Sequence, residues 1–217
     1  RFGIVEVDAT DRIVNFQEKP NKPKSNIASM GVYLFSAPVL EKILEEAPIG
    51  EDLDFGRNVI PKAIKENYVT SAYVFRGYWR DVGTVDSLYE ANMDLLDNPD
   101  FLTLNTSRNL PVYSKSLNLP PHMILERGQI HSSIVADGAL IDGVVKHCVV
   151  SYECNIKQHA ILEDCVILPN VTIGERAVLK NVLINKNTVV PPGYYLVADK
   201  VVLLDESNLL KVGEIRG

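Results

Sequence analysis

Two rhythms of apolar residues divide the 217-residue chain. From Ile134 onward, adjacent apolar pairs recur: Ile134-Val135, Leu140-Ile141, Val144-Val145, Val149-Val150, Ile161-Leu162, Val166-Ile167, Val178-Leu179, Leu183-Ile184 and Val189-Val190. Ile156 and Ile173 fill the two wide gaps, most steps are five or six residues, and small or turn-forming pairs such as Asp142-Gly143 and Pro169-Asn170 lie between. A helix would repeat about every 3.6 residues, and a meander would show longer strands. The pattern predicts a left-handed parallel β-helix of hexapeptide repeats, each repeat forming one face of a coil. An irregular β-sandwich is the competing architecture. Pro191-Pro192-Gly193 is expected to close the repeat, leaving YYLVADKVVLL to pack on the last coil or on a partner subunit.

The first hundred residues follow a different pattern. Phe2 to Val7 and Ile13 to Gln17 are β-prone runs separated by the turn-rich Asp8-Ala9-Thr10-Asp11. Val32 to Phe35 is continuously apolar and predicts a strand buried on both faces. Ser36 is a candidate N-cap for a helix with Pro38 in its first turn and Val39, Leu40, Ile43 and Leu44 inward, stopped by Pro48 and Gly50. A second helix is expected from Asp54 or Phe55, with Val59, Ile60, Ala63 and Ile64 inward, although Pro61 argues against its middle. Val69 to Phe75 predicts another strand. Thr84 caps a third helix whose inward face reads as Leu88, Ala91 and Leu95. Strands alternating with helices imply an α/β layer. Asn98 to Pro121, rich in Asn, Pro, Ser and Thr, reads as a connector. The expected division is therefore 1–97, a linker over 98–121, and 122–217.

Composition narrows the classes. With 46% hydrophobic and 23% charged residues the chain is globular rather than disordered, and a net charge of −6 argues against a broad nucleic-acid-binding face. The three cysteines, Cys148, Cys154 and Cys165, form neither an even set nor a CxxC pair, so buried thiols are expected. No apolar run has the length of a membrane span and nothing at the start resembles a signal peptide, which predicts a cytoplasmic protein without membrane contact. The chain opens on Arg1 without an initiator Met, as a piece of something longer would. It lacks GxGxxG and GxxxxGK turns, so a loop cradling nucleotide phosphates is not expected within it.

Candidate chemistry gathers in Asn15 to Gly31, where Glu18, Lys19 and Pro20 stand in a row and a polar loop returns through Ser29. An ammonium can neutralise a phosphate while a carboxylate accepts bonds from sugar hydroxyls, which suits a phosphorylated, hydroxylated small molecule. An ordinary charged surface hairpin would look the same on spacing alone.

FQEKP (16–20), SNIASMGVYLF (25–35), DFGRNVIP (54–61) and YWRDVGTVDSLYEANMDLL (78–96), followed by a hexapeptide tail, resemble the bacterial glucose-1-phosphate adenylyltransferases, or ADP-glucose pyrophosphorylases. The resemblance covers essentially the whole chain but only the later part of the family's sequence. It implies a partial Rossmann-like nucleotidyltransferase domain joined to the β-helix, in an allosteric enzyme of glycogen biosynthesis. The implied reaction joins ATP and glucose 1-phosphate into ADP-glucose and diphosphate with Mg²⁺, a chemistry of positioning and charge neutralisation. Carried over by motif, Lys19 holds the sugar phosphate, Glu18 bonds sugar hydroxyls, Ser29 contacts the sugar phosphate, Asp81 is one of two metal-holding aspartates, and Asp54 is a carboxylate near the site. The resemblance also implies a tetramer, homo-oligomeric or built with a related subunit. The family's amino-terminal portion, with the nucleotide loop and the other aspartate, is not in this sequence, so the isolated chain is expected to be inactive.

Other readings compete. Another sugar-1-phosphate nucleotidylyltransferase would share EKP. A non-catalytic regulatory or assembly subunit would be expected to lose Glu18, Lys19 and Asp81, which are retained. A hexapeptide acyltransferase would need a histidine base, for which His131, His147 and His159 are candidates by location, although surface histidines are the simpler expectation.

Overall fold

The computed structural model describes residues 2–48, 50, 52–98 and 115–216, which fall into two compact units, Arg1–Trp79 and Arg80–Gly217. In the first unit, β1 (Gly3–Val7) pairs antiparallel with both β2 (Ile13–Glu18) and β3 (Ile27–Ala28). The sheet's apolar face, Val5 and Phe16, closes on Ile60 with Ile13 and Ile27 beside it. Helix α1 (Ala37–Glu45) begins after Ser36, whose side chain makes no capping bond, and a second small core joins Ile43 to Val59 and Ala63.

Three expectations for this unit change. A π-helical turn, Phe55–Val59, precedes α2 (Ile60–Lys65), so Pro61 sits in a first helical turn where its missing N–H costs little. Val32 to Phe35 forms no strand: Val32 is 80% and Leu34 101% exposed, because an apolar run becomes a strand only beside a hydrogen-bonding edge and no described strand lies alongside it. Val69 to Phe75 is likewise not a strand. It contributes a single bridge, Ser71 to Arg12.

The second unit opens with α3 (Val85–Asp97), capped by a reciprocal pair in which Ser87 N donates to Thr84 Oγ1 at 3.2 Å and Thr84 N donates to Ser87 Oγ at 3.1 Å. Its buried residues are Tyr89 and Met93, flanked by Val85, Leu88 and Leu96, so of the expected Leu88, Ala91 and Leu95 stripe Leu88 belongs to this packing and the other two do not. The stripe is turned because the helix packs on outward-facing Val166 and Leu183 of the solenoid.

The solenoid is a parallel β-helix. Its first coil comprises β4 (Met123–Ile124), β5 (Gln129–His131) and β6 (Ile134–Val135), and its second β7 (Leu140–Ile141), β8 (Val144–Lys146) and β9 (Val149–Val150). The third has β10 (Asn155–Ile156) and β11 (Ile161–Ile167), the fourth β12 (Thr172–Ile173) and β13 (Val178–Ile184). The fifth has β14 (Val189–Val190) and β15 (Tyr194–Leu204). Each apolar pair of the sequence is a rung. In-register stacking builds columns such as Ile141–Ile156–Ile173–Val190 and Val145–Leu162–Leu179–Leu196, nearly all inaccessible to solvent.

Left-handed backbone at His147, Asp164 and Asn181 turns one corner of successive coils, and at Glu153, Asn170 and Asn187 another. Pro191-Pro192-Gly193 does not close the repeat. β15 continues it in parallel register with β13, and the end is made by α4 (Leu209–Val212) and β16 (Glu214–Ile215), which pairs antiparallel with β15. Cys148, Cys154 and Cys165 are free, buried thiols. Burial pushes Cys154 up to about 11, so it stays protonated as a small core residue.

Candidate active site

Four of the five candidate residues lie in the first unit, and the turn Asp54-Phe55-Gly56 is their common support. Glu18 ends β2 with its side chain largely buried, and its Oε1 lies 3.3 Å from the Lys19 ammonium, which is 59% exposed. Lys19 takes the left-handed backbone, φ 47°, with its N–H donating to Phe2 O at 3.1 Å. Pro20 then restricts the next φ, so the strand ends abruptly with the ammonium left to solvent.

Asp54 caps the π-turn. Its Oδ1 accepts from Arg57 N at 2.8 Å and its own N–H donates to Asn58 Oδ1 at 2.9 Å. Gly56 is buried beneath both carboxylates: a Cβ there would collide with Glu18 Oε2 and lie 3.3 Å from Asp54 Oδ1. Ser29 N donates to Gly3 O at 2.8 Å, and its Oγ accepts from Gly31 N and sits 3.2 Å from the Tyr33 hydroxyl. The Tyr33 ring stacks on Phe55 with centroids 5.7 Å apart, linking Ser29 to the same turn. The structure thus groups Glu18, Lys19, Asp54 and Ser29 about one loop. Gly56, Tyr33 and Phe55 were not singled out from the sequence, and the signal for Gly56 was present: a residue without a side chain directly after Asp-Phe.

Asp81 belongs to the second unit. It is exposed, with Gly83 against its carboxylate (a Cβ there would lie 3.4 Å from Oδ1) and Thr84 beginning α3 directly after. Its neighbour Arg80 pairs with Glu90 and, at 2.9 Å, with Asp94, both on α3. Trp79 meets Phe2 edge-on at 5.5 Å and is 38% exposed.

On the solenoid, His131 and His159 are exposed. His147 is not a simple surface histidine: Nδ1 lies 2.7 Å from Asp164 Oδ1 and Nε2 3.0 Å from Asp97 Oδ1. With both ring nitrogens engaged, it has no lone pair free to act as the base of an acyltransferase.

Residues 1–98 match the nucleotidyl transferase family model, and residues 121–207 match the GlmU-like C-terminal hexapeptide model. The first part of the chain is therefore similar to nucleotidyl transferases, and the β-helix to the GlmU-like hexapeptide region. Over most of its length it is similar to proteins named glucose-1-phosphate adenylyltransferase. It is 41% identical over 174 residues to the protein of that name from Clostridioides difficile (strain 630), covering 79% of this chain and 45% of that one. With those from Bacillus cereus (strain ATCC 10987 / NRS 248) and Bacillus mycoides (strain KBAB4) it shares 39% over 214 residues, covering 96% of this chain and 57% of each. The chain spans about half the length of the curated relatives it matches. No described helix is long and apolar enough to cross a membrane.

Proposed function

We propose that this chain is the sugar-phosphate side of a glucose-1-phosphate adenylyltransferase, the complete enzyme converting ATP and glucose 1-phosphate to ADP-glucose and diphosphate. The observation that carries the reading is the grouping of Glu18, Asp54 and Ser29 about the Asp54-Phe55-Gly56 turn, with an exposed ammonium at Lys19. Lys19 neutralises the sugar phosphate as a point charge, and Glu18 accepts from sugar hydroxyls. Ser29 contributes a hydroxyl beside the phosphate. Asp54 holds the turn on which the Glu18 carboxylate rests.

Asp81 would supply one ligand to Mg²⁺, an ion typically bound by one or two carboxylates together with substrate phosphates. Among the described residues no cluster of three His, Cys, Asp or Glu could hold a metal by itself, so the cage is to be completed by groups other than these. The bound cation would neutralise charge on the phosphates during transfer.

The domain division in this reading is 1–97 for the nucleotidyltransferase part, 98–121 for the linker and 122–217 for the β-helix. A cytoplasmic oligomer, a homotetramer or a complex with a related subunit, belongs to the same reading.

The test is Lys19→Gln in the complete enzyme. Losing a charge-assisted bond of about 1.5–3 kcal/mol raises the glucose 1-phosphate KM roughly ten- to a hundredfold, with little change in the ATP KM. An unchanged sugar-phosphate KM sinks the assignment. The purified 217-residue chain is expected to show no pyrophosphorolysis of ADP-glucose.

A further inference from the structure

Asp97 is the last residue of α3, and His147 and Asp164 occupy equivalent left-handed corners one coil apart, both at φ 50°. The imidazole lies between the two carboxylates, 2.7 Å from Asp164 and 3.0 Å from Asp97. Carboxylates accept and do not donate, and a neutral imidazole offers one N–H and one lone pair. Two short contacts to carboxylate oxygens therefore fit the imidazolium, which donates from both nitrogens.

The other charged or titratable groups here are Lys180, paired with Glu163 and 3.7 Å from Asp164, with Lys146 and His131 on the preceding rungs and Tyr89 from α3. Hydrogen bonding to Asp164, then to Asp97, raises the His147 pKa above the ordinary histidine value, against the opposing effect of burial. Arg80, immediately before Asp81, pairs on the same helix with Glu90 and with Asp94, the latter one turn before Asp97.

We propose that His147 is a positioning residue for Asp81: shared between Asp97 and Asp164, it fixes α3 on the solenoid, and α3 fixes the Arg80-Asp81 segment through Glu90 and Asp94. This inference rests on the metal-binding role given to Asp81. It makes the solenoid part of the apparatus that sets the metal-side carboxylate, through a link that weakens as His147 loses its second proton. The charged form is favoured by the fold, so its contribution is complete at acidic pH and is lost as pH rises through the raised folded pKa.

Two variants test the link in the 217-residue chain by hydrogen exchange: His147→Ala, and Asp97→Asn, which leaves the coil corner intact. Loss of a charge-assisted bond speeds exchange of α3 amides on the order of tenfold in both, while β11 and β13 keep wild-type protection. In wild type the α3 protection, corrected for intrinsic exchange, falls as pH rises through the His147 pKa read from ¹⁵N-histidine spectra. Unchanged α3 exchange in both variants overturns the link.

In the complete enzyme Asp97→Asn lowers kcat and raises the Mg²⁺ requirement at an unchanged glucose 1-phosphate KM. Looser α3 with unaltered kcat and Mg²⁺ dependence overturns the positioning role. The Asp81→Asn control separates the two ideas: if it leaves rate and metal dependence intact, the role of Asp81 fails and this inference with it, whereas a rate loss there with none in Asp97→Asn fails this inference alone.

Discussion

Gly56→Ala separates the binding site from the fold. Gly56 is buried within the π-helical turn, and an added methyl would meet Glu18 Oε2 inside van der Waals contact, with Glu18 Cδ at 3.1 Å and Asp54 Oδ1 at 3.3 Å. Its φ lies outside the left-handed region, so alanine can adopt the backbone. The obstructing atom is the far end of a flexible side chain, and the strain is relieved by rotating Glu18 away rather than by moving main chain. The stability cost should then stay within about 1 kcal/mol, since reduced freedom of the unfolded chain offsets part of it.

The binding cost is larger. A carboxylate displaced beyond hydrogen-bond reach forfeits a charge-assisted interaction of about 1.5–3 kcal/mol, roughly a ten- to hundredfold rise in the glucose 1-phosphate KM. The assay pairs initial-rate kinetics of the complete enzyme with thermal melting. Glu18→Asp added to Gly56→Ala withdraws the carboxylate by one methylene and should recover part of the loss. An unchanged KM at unchanged Tm would show that the Glu18 carboxylate does not bind the sugar, refuting the assignment. A large fall in Tm would show that the turn cannot yield as argued.

Two further changes probe the solenoid and its helix in the chain itself. Gly174→Ala places a Cβ 2.5 Å from Pro191 C and 2.8 Å from Pro191 O, backbone atoms of the next coil that cannot rotate aside, and should cost about 3 kcal/mol in urea unfolding. A wild-type midpoint would mean that the coils are less tightly stacked than described. Tyr89→Phe removes the hydroxyl that donates to Asp164 O at 2.8 Å, leaving that carbonyl without this partner, and should cost about 1–2 kcal/mol at an unchanged denaturant slope. Burial raises the Tyr89 pKa, so the hydroxyl remains a donor throughout the neutral and mildly alkaline range.

The solenoid was legible because each rung's hydrogen-bonding neighbour arrives at a fixed step along the chain. Thus Ile161 finds Val144 on one side and Val178 on the other without reference to distant sequence. Val32 to Phe35 misled for the opposite reason: apolar content marks a segment fit for a sheet interior, but the neighbouring edge must come from elsewhere. Pro61 misled because a π-turn ahead of the helix relocates the helix start, and apolar periodicity carries no trace of such a turn.

In the α3 stripe Leu88 was legible, whereas Tyr89, Met93 and Leu96 were not. Tyr89 reads as polar, yet its ring is buried and its hydroxyl satisfied by a solenoid carbonyl. Within the site, the adjacency of Glu18 and Lys19 could be read directly. The approach of Asp54 and Gly56 to Glu18 depends on the fold of the whole first unit. The His147 contacts were not legible, because their partners lie 17 and 50 residues away and no motif ties them.

The cap on the last coil has a consequence for assembly. A parallel solenoid ends in exposed backbone donors and acceptors, and a second solenoid laid head-to-tail on such an edge repeats without closing, the geometry of a filament. Here the antiparallel β16 occupies the start of β15, Tyr194 donates to Leu209 O at 2.7 Å, and the Arg216 guanidinium lies 3.2 Å from the centre of the Tyr195 ring. Over Tyr194 and Tyr195 that edge is taken by β16, so head-to-tail pairing of a second solenoid is opposed at that part of the coil.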